Sequence, residues 1–165
     1  HRPSPLMDIS KIADTVNGLI KSGKIKSFGV SNFTANQMDM FKGKVEVLYN
    51  QINLSLTHLD HIFDGTLEYM QANNILPMAY SPLGSYFKGE DSKIIKVVDK
   101  FKNKYGCTDY ELLISWLLKH PSKVYPVIGT TKSNRLKKSV NSLKIEIELI
   151  DWFELLEVSV GKRVP

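Results

Sequence analysis

Cysteine is nearly absent from this 165-residue chain, which contains only Cys107. A single cysteine excludes a disulfide within the chain and is consistent with a reducing cytoplasm. No apolar run approaches the ~20 residues that a membrane-spanning helix needs, and the first residues carry no secretory signal pattern. We therefore expect a cytoplasmic protein that has no membrane partner.

Several ligand-binding motifs are also missing. The sequence contains neither a Gly-x-Gly-x-x-Gly dinucleotide fingerprint nor a Walker loop. His58, His61 and His120 lack ligand-like spacing with cysteine or carboxylate residues, which argues against a metal site. The net charge of +5, from 22 basic and 17 acidic residues, suits an anionic ligand but is too small and dispersed to indicate nucleic acid.

Helical and strand patterns alternate along the chain in the order α-β-α-β-α-β-α-α-β-α-α. The predicted strands lie near 26–31, 46–53, 75–81 and 124–129, and one predicted helix runs over 60–73. Short apolar strands separated by helices predict one α/β domain with a parallel sheet and right-handed crossovers. The architecture is either a doubly wound sheet or part of a (β/α)8 barrel, which needs about 250 residues when complete.

Polar side chains stand at the end of the first three predicted strands, at Ser31-Asn32, Gln51 and Tyr80-Ser81. In a parallel barrel, the carboxyl ends of the strands form the edge where chemistry takes place. Taken singly, Ser31-Asn32 fits a helix cap, Gln51 a satisfied core amide and Tyr80 a core aromatic. Their recurrence at successive strand ends indicates a ligand site.

Residues 129–135 follow the fourth predicted strand as a glycine turn that leads into a helix. Unpaired backbone N–H groups and the positive end of the helix dipole favour anions at such a place. Two hydroxyls, Thr130 and Thr131, and two cations, Lys132 and Arg135, add donors and charge. Phosphate is the natural ligand, and the alternative is an ordinary capped surface helix.

Together these segments resemble the aldo-keto reductase family, specifically its C-terminal part, and the resemblance covers essentially all 165 residues. The segments that carry it stand in family order with family-like spacing at 1–8, 22–33, 50–51, 80–84 and 128–131. Gly-Val-Ser-Asn-Phe following Ser-Gly-Lys is highly specific. The opening segment and residues 54–58 are most similar to a bacterial oxidoreductase branch of the family.

The resemblance implies a (β/α)8 barrel that binds NADP(H) and moves hydride between the nicotinamide and a carbonyl or alcohol carbon. It implies that Ser31, Asn32 and Gln51 hold the nicotinamide carboxamide and that Tyr80 stacks on the ring. By the same resemblance, the residues at the positions that contact the cofactor pyrophosphate in this family are Ser81, Leu83 and Ser85. The positions that fall in the segment for the adenosine 2′-phosphate are Gly129, Thr130, Thr131, Lys132 and Arg135. Arg135 is the best candidate for an ion pair there.

Two departures from the family pattern matter. Many members begin the phosphate segment with Lys-Ser, where this chain has Gly129-Thr130, and Lys132 can supply the missing charge. The family's catalytic set is Asp, Tyr, Lys and His. His1 stands where the His would be, and the other three belong to earlier strands.

The chain also begins with His1 rather than Met. We therefore expect the C-terminal half of an NADP-dependent reductase, cut or cloned from a longer protein and inactive alone. The alternative is a naturally shortened, non-catalytic barrel relative that acts as a binding or interaction module. A half-barrel exposes two sheet edges and an apolar interior, so we expect self-association for either origin.

Overall fold

The computed structural model of the chain describes residues 1–164, in which four strands form one parallel sheet in the order β1-β2-β3-β4. The strands are β1 Gly29–Ser31, β2 Tyr49–Asn53, β3 Leu76–Tyr80 and β4 Tyr125–Pro126. The helices are α1 Ile9–Lys21, α2 Ala35–Asp39, α3 Asp60–Phe63, α4 Thr66–Ala72, α5 Ser92–Tyr105, α6 Asp109–Leu118, α7 Ser133–Asn141 and α8 Leu149–Val160. Short 3₁₀ turns occupy Tyr86–Lys88 and Ser142–Lys144. The predicted α/β class with four parallel strands is confirmed.

Local side chains determine where several of the helices begin. The Asp8 carboxylate accepts two backbone N–H groups in the first turn of α1. Thr34 forms a capping box with Gln37 at α2, and Thr108 forms another with Glu111 at α6. Each cap satisfies N–H groups that the helix itself leaves unpaired, so the chain turns from loop to helix at a defined residue.

The strands expected near 26–31 and 46–53 are shorter in the structure, at Gly29–Ser31 and Tyr49–Asn53. Two other differences have a cause in backbone chemistry. The helix expected over 60–73 is two helices, because Gly65 adopts a left-handed φ of 80° between α3 and α4. The strand expected over 124–129 pairs only at Tyr125 and Pro126, although the Val127 N–H still donates to the Ala79 carbonyl at 2.8 Å. Pro126 has no N–H to give to a ladder, which is typical of an edge strand.

The core lies between the sheet and the outer helices, and within it a pair of tryptophans joins α6 to α8. The indole rings of Trp116 and Trp152 stack there with centroids 5.1 Å apart and planes 7° from parallel. Each indole N–H donates to the other residue's backbone carbonyl, at 3.2 Å and 2.9 Å. Both rings are buried, so their polar groups are paired as burial requires.

Asn50, in the middle of β2, is fully buried and ties the sheet to the loop after β1. Its amide donates to the Phe33 carbonyl at 2.8 Å and accepts the Phe33 N–H at 3.4 Å. Because successive side chains of a strand point to opposite faces, Gln51 faces away from this helix-side core. Asn50 therefore fixes the segment that carries Asn32, while Gln51 faces the inner side of the sheet.

No helix within residues 1–164 has the length and apolar character needed to cross a bilayer.

Candidate functional site

A chain of hydrogen bonds joins the carboxyl ends of β1, β2 and β3. The Ser31 hydroxyl donates to the Gln51 carbonyl at 2.8 Å, and the Asn32 backbone N–H donates to the same oxygen at 2.9 Å. The Asn32 amide Nδ2 donates to Ser31 Oγ at 3.1 Å, and the Tyr80 hydroxyl donates to Asn32 Oδ1 at 3.1 Å. Four of the predicted site residues therefore form one connected group.

The register of the parallel strands explains this grouping. Ser31 pairs with Gln51 across β1 and β2, and Tyr80 stands one pleat further on β3, opposite Asn53. Asn32 follows β1 with a left-handed φ of 60°, a conformation that asparagine tolerates better than most residues. This turn brings the Asn32 side chain back over the sheet edge toward Tyr80.

These residues line an open cavity of about 730 Å³ that runs along the inner face of the sheet and reaches its carboxyl edge. Its lining consists of His1, Arg2, Gly29, Val30, Ser31, Asn32, Tyr49, Gln51, Met78 and Tyr80. The surface combines aromatic faces, two amides, a serine hydroxyl and the exposed terminal residues His1 and Arg2. A concave site with an apolar wall and a few converging polar groups suits a flat, polar ring.

The cavity lining also includes five residues that were not predicted as site residues, namely Arg2, Gly29, Val30, Tyr49 and Met78. Tyr49 lies two residues before Gln51 on the same strand, and Met78 is the register partner of Gln51 on β3. The period of two along a strand would have identified Tyr49 from Gln51. Met78 required the strand register, which a single sequence does not contain.

The loop after β3 places its three predicted residues in different surroundings. Ser81 is exposed with a left-handed φ of 50°, and Leu83 is partly buried against the main apolar core. The Ser85 N–H donates to Thr57 Oγ1 at 2.9 Å. None of the three lines the cavity around Asn32.

Ser85 lines a second, smaller cavity of about 360 Å³ together with Thr57, Tyr86, Glu90 and Asp91. Burial, with Asp109 and Asp99 nearby, raises the pKa of Tyr86 to about 12, so this phenol stays neutral in the physiological range. Asp91 is the cap of α5 and accepts the backbone N–H groups of Lys93 and Ile94. The second cavity is therefore polar and carries carboxylates on one side.

Residues 129–135 lie beyond the end of β4, at the edge of the sheet to which β3 also delivers Tyr80. Thr130 Oγ1 accepts the Lys132 N–H at 3.2 Å, and the side chains of Lys132 and Arg135 are exposed. Lys132 is the residue before α7, and its side chain does not cap the helix. The first turn of α7 therefore presents backbone N–H groups beside two cations, as anion sites at helix N-termini do.

The predicted site residues thus fall into three groups. His1, Ser31, Asn32, Gln51 and Tyr80 share the larger cavity. Ser81, Leu83 and Ser85 belong to the loop beside the smaller one. The phosphate segment 129–135 lines neither cavity. Its position relative to them follows only from the strand order, in which β4 lies next to β3.

Comparison with known proteins gives a consistent result. The model of the Aldo/keto reductase family matches residues 1–158. A 6-dehydroglucose reductase of Agrobacterium fabrum is 34% identical over 99% of this chain, and oxidoreductase YdhF of Escherichia coli is 32% identical over 100% of it. The chain spans 57% of the length of each of these relatives.

Solved structures share the fold. A thermostable aldo-keto reductase in complex with the inhibitor epalrestat matches 96% of this chain with a TM-score of 0.87, at 22% identity. An aldose reductase from Giardia lamblia matches 99% of it with a TM-score of 0.77, at 20% identity. This chain covers 57% and 53% of those two chains. The predicted partial (β/α)8 barrel is thereby confirmed.

Proposed function

Because the chain belongs to the aldo/keto reductase family, we propose that it supplies most of the cofactor site of an NADP-dependent oxidoreductase. The substrate of the whole protein would be a small carbonyl compound or the corresponding alcohol. One observation carries the proposal: Ser31, Asn32, Gln51 and Tyr80 come from three strands and meet in one cavity. The amides and the aromatic ring that meet there match the carboxamide and the flat face of a nicotinamide.

The residues around the cavity fit a nicotinamide group. The Gln51 and Asn32 amides offer donors and acceptors for a carboxamide, and the Tyr80 ring offers a flat face for stacking. Bound NADPH would supply the hydride in this enzyme. The share of the chain is to hold the ring against Tyr80 and to leave the opposite face open to substrate.

The first turn of α7 fits the phosphate of the same cofactor. Its N–H groups lack a side-chain cap, and Lys132 and Arg135 stand exposed beside them. A guanidinium forms two parallel hydrogen bonds to a phosphate, which a lysine does not. We therefore assign the adenosine 2′-phosphate to this segment, with Arg135 as its main partner.

His1 lies on the border of the larger cavity, where its imidazole can donate a hydrogen bond to a substrate oxygen. The other family catalytic groups are an Asp, a Tyr and a Lys, and none of them corresponds to a motif of this chain. We therefore propose that the 165 residues bind the cofactor but do not catalyse hydride transfer by themselves.

Titration of the chain with NADPH and with NADH, followed by the fluorescence of the reduced nicotinamide, tests the proposal. NADPH should bind more tightly than NADH. Arg135→Gln should weaken NADPH binding by about tenfold while changing NADH little, because it removes a charge-assisted pair to the extra phosphate. The matched control is Arg163→Gln, since Arg163 is also exposed but lies after α8. Equal affinities for the two dinucleotides would refute the phosphate assignment.

A second candidate function is an interaction module, and the open edge at β4 favours it. A groove of about 540 Å³ lies between β4, α6 and α7, and its wall includes Tyr125, Leu136, Val140 and Leu143. All four of these side chains are exposed, Leu143 by 68%. Exposed apolar surface beside an unpaired strand edge promotes association, so we propose that the isolated chain self-associates through this groove.

Analytical ultracentrifugation over a range of concentrations tests the self-association. Leu143→Glu should shift the population toward the monomer, because it places a charge in the groove. Leu149→Glu is the matched control, since Leu149 is 66% exposed but lies outside the groove. A wild-type chain that stays monomeric at all concentrations would contradict the proposal.

A further inference from the structure

We infer that the Tyr80 hydroxyl is a positioning group that fixes the orientation of the Asn32 amide, so that the cavity selects a neutral carboxamide over a carboxylate. The inference rests on the proposed function, because it assigns chemistry to the same cavity. It concerns the hydroxyl of Tyr80 and not the stacking of its ring. The direction of each hydrogen bond in the network determines how the amide must lie.

The Gln51 backbone carbonyl sets that direction, because a carbonyl can only accept. It receives the Ser31 hydroxyl at 2.8 Å and the Asn32 backbone N–H at 2.9 Å. The only hydrogen of the Ser31 hydroxyl is therefore used at Gln51. Ser31 Oγ has nothing left to donate and acts as an acceptor toward its other neighbours.

The Asn32 amide must then turn its nitrogen toward Ser31. Nδ2 lies 3.1 Å from Ser31 Oγ, and Nδ2 is the only donor of that side chain. Oδ1 consequently lies on the opposite side, 3.1 Å from the Tyr80 hydroxyl, which donates to it. Tyr80 is thus the group that holds the oxygen end of the amide in place.

Hydrogen bonds hold the backbone around Asn32, so the side-chain amide can move only by rotating. The Asn32 N–H is bound to the Gln51 carbonyl, and the next residue, Phe33, is held on both sides by the buried Asn50 amide. With a φ of 60°, Asn32 also occupies a narrow left-handed well. Rotation of the side chain is the remaining freedom, and the Tyr80 hydroxyl restrains it.

This fixed orientation determines what a ligand meets at Asn32. Nδ2 has a second hydrogen and Oδ1 a second lone pair, so the amide can still offer a ligand both a donor and an acceptor. A carboxamide presents the complementary pair, since its oxygen accepts and its nitrogen donates. A carboxylate presents acceptors only, so one of its oxygens would face the Oδ1 lone pair without a hydrogen between them. A site whose polar groups are left unpaired by one ligand favours the ligand that pairs them.

Calorimetric titration with NADP⁺ and with its nicotinic acid analogue tests the inference, because the two differ only in carboxamide against carboxylate. The wild-type chain should favour NADP⁺. Tyr80→Phe keeps the ring and removes the hydroxyl, and it should narrow the ratio of the two affinities by about fivefold, the effect of one hydrogen bond. Ser31→Ala removes the other restraint on the amide and should narrow the ratio as well. Tyr125→Phe, an exposed tyrosine on β4 outside the cavity, should leave it unchanged.

A second measurement needs no ligand. The side-chain amide protons of Asn32, assigned by NMR with Asn32→Asp as reference, should give two distinct and slowly exchanging signals in the wild type. Tyr80→Phe should shift them and speed their exchange, whereas Tyr125→Phe should not. The same spectra report whether each variant is folded.

The outcomes separate this inference from the function on which it rests. If the wild type binds neither dinucleotide, the proposed function fails, and the NMR signals still decide the role of the hydroxyl. If NADP⁺ binds but Tyr80→Phe changes neither the affinity ratio nor the Asn32 signals, the inference is overturned while the cofactor site stands. Equal affinity of the wild type for NADP⁺ and its nicotinic acid analogue would also overturn the inference.

Discussion

Replacing Gly84 by alanine should be one of the most damaging single-methyl changes in this chain. Gly84 lies in the loop after β3 with a left-handed φ of 54°. A Cβ atom there would overlap Thr57 Oγ1 and Ser55 Oγ, and Ser55 Cβ would be only 3.1 Å away. Thr57 cannot simply move aside, because its Oγ1 accepts the Ser85 N–H at 2.9 Å.

Three contributions set the size of the effect. The left-handed conformation costs alanine about 1 kcal/mol, and inserting a methyl group into occupied space costs about 1 to 3 kcal/mol. Loss of the hydrogen bond between Ser85 and Thr57 adds about 1 kcal/mol. Gly84→Ala should therefore lower the free energy of unfolding by about 3 to 5 kcal/mol, and it should disturb the loop that carries Ser85.

Urea denaturation followed by tryptophan fluorescence measures this loss, with Gly89→Ala as the matched control. Gly89 has a similar φ of 73°, but no atom lies within 4 Å of the position that a methyl group would take there, so only the conformational cost of about 1 kcal/mol applies. The effect of alanine on the unfolded chain is common to both variants and cancels in their difference. Adding Thr57→Ala to Gly84→Ala should restore part of the stability. Equal losses for Gly84→Ala and Gly89→Ala would refute the steric argument.

Two further predictions concern titratable groups. Burial raises the pKa of Asp151, but hydrogen bonds from Lys104 and Tyr105 outweigh this and hold it below the ordinary 3.8. The stabilisation from Asp151 should be complete above about pH 4 and lost below it, and Asp151→Asn should cost about 1 to 2 kcal/mol in urea denaturation at pH 7. Burial lowers the pKa of His120 below 6.5, and its Nδ1 accepts the Ser122 N–H. Acidification below pH 6.5 should therefore destabilise the chain, and His120→Gln should flatten this slope in denaturation curves.

The alternation of strands and helices could be predicted from the sequence, because the first three strand patterns end in polar residues and most helices have a periodic apolar face. The choice of a barrel over a doubly wound sheet came from the family resemblance. The helix break at Gly65 was harder to foresee, since a single glycine is tolerated inside many helices. The short pairing of β4 depends on what lies beside it in space. Both features depend on tertiary contacts, which the secondary-structure propensities of the residues do not predict.

The site was partly predictable for a similar reason. Adjacent amides at Asn50 and Gln51 look alike in sequence, yet one is a buried structural link and the other faces the cavity. Strand alternation separates them once the register is known. The sequence does not predict that Leu83 packs against the main core, because an apolar residue in a polar loop can either pack or contact a ligand.

The two ends of the proposed cofactor site differ in how they hold their ligand, and this difference has a measurable consequence. The amide network around Asn32 is made by protein groups alone, and it acts on a ligand through short-range hydrogen bonds. Lys132 and Arg135 are exposed, so the phosphate end acts through charges that salt screens over about 8 Å at physiological ionic strength. Raising the salt concentration should therefore reduce the preference for NADPH over NADH. The effect of Tyr80→Phe on the preference for NADP⁺ over its nicotinic acid analogue should depend much less on salt, because a hydrogen bond inside the cavity is little affected by screening. A preference for NADPH that is independent of salt would place its origin in shape rather than in the charges beside α7.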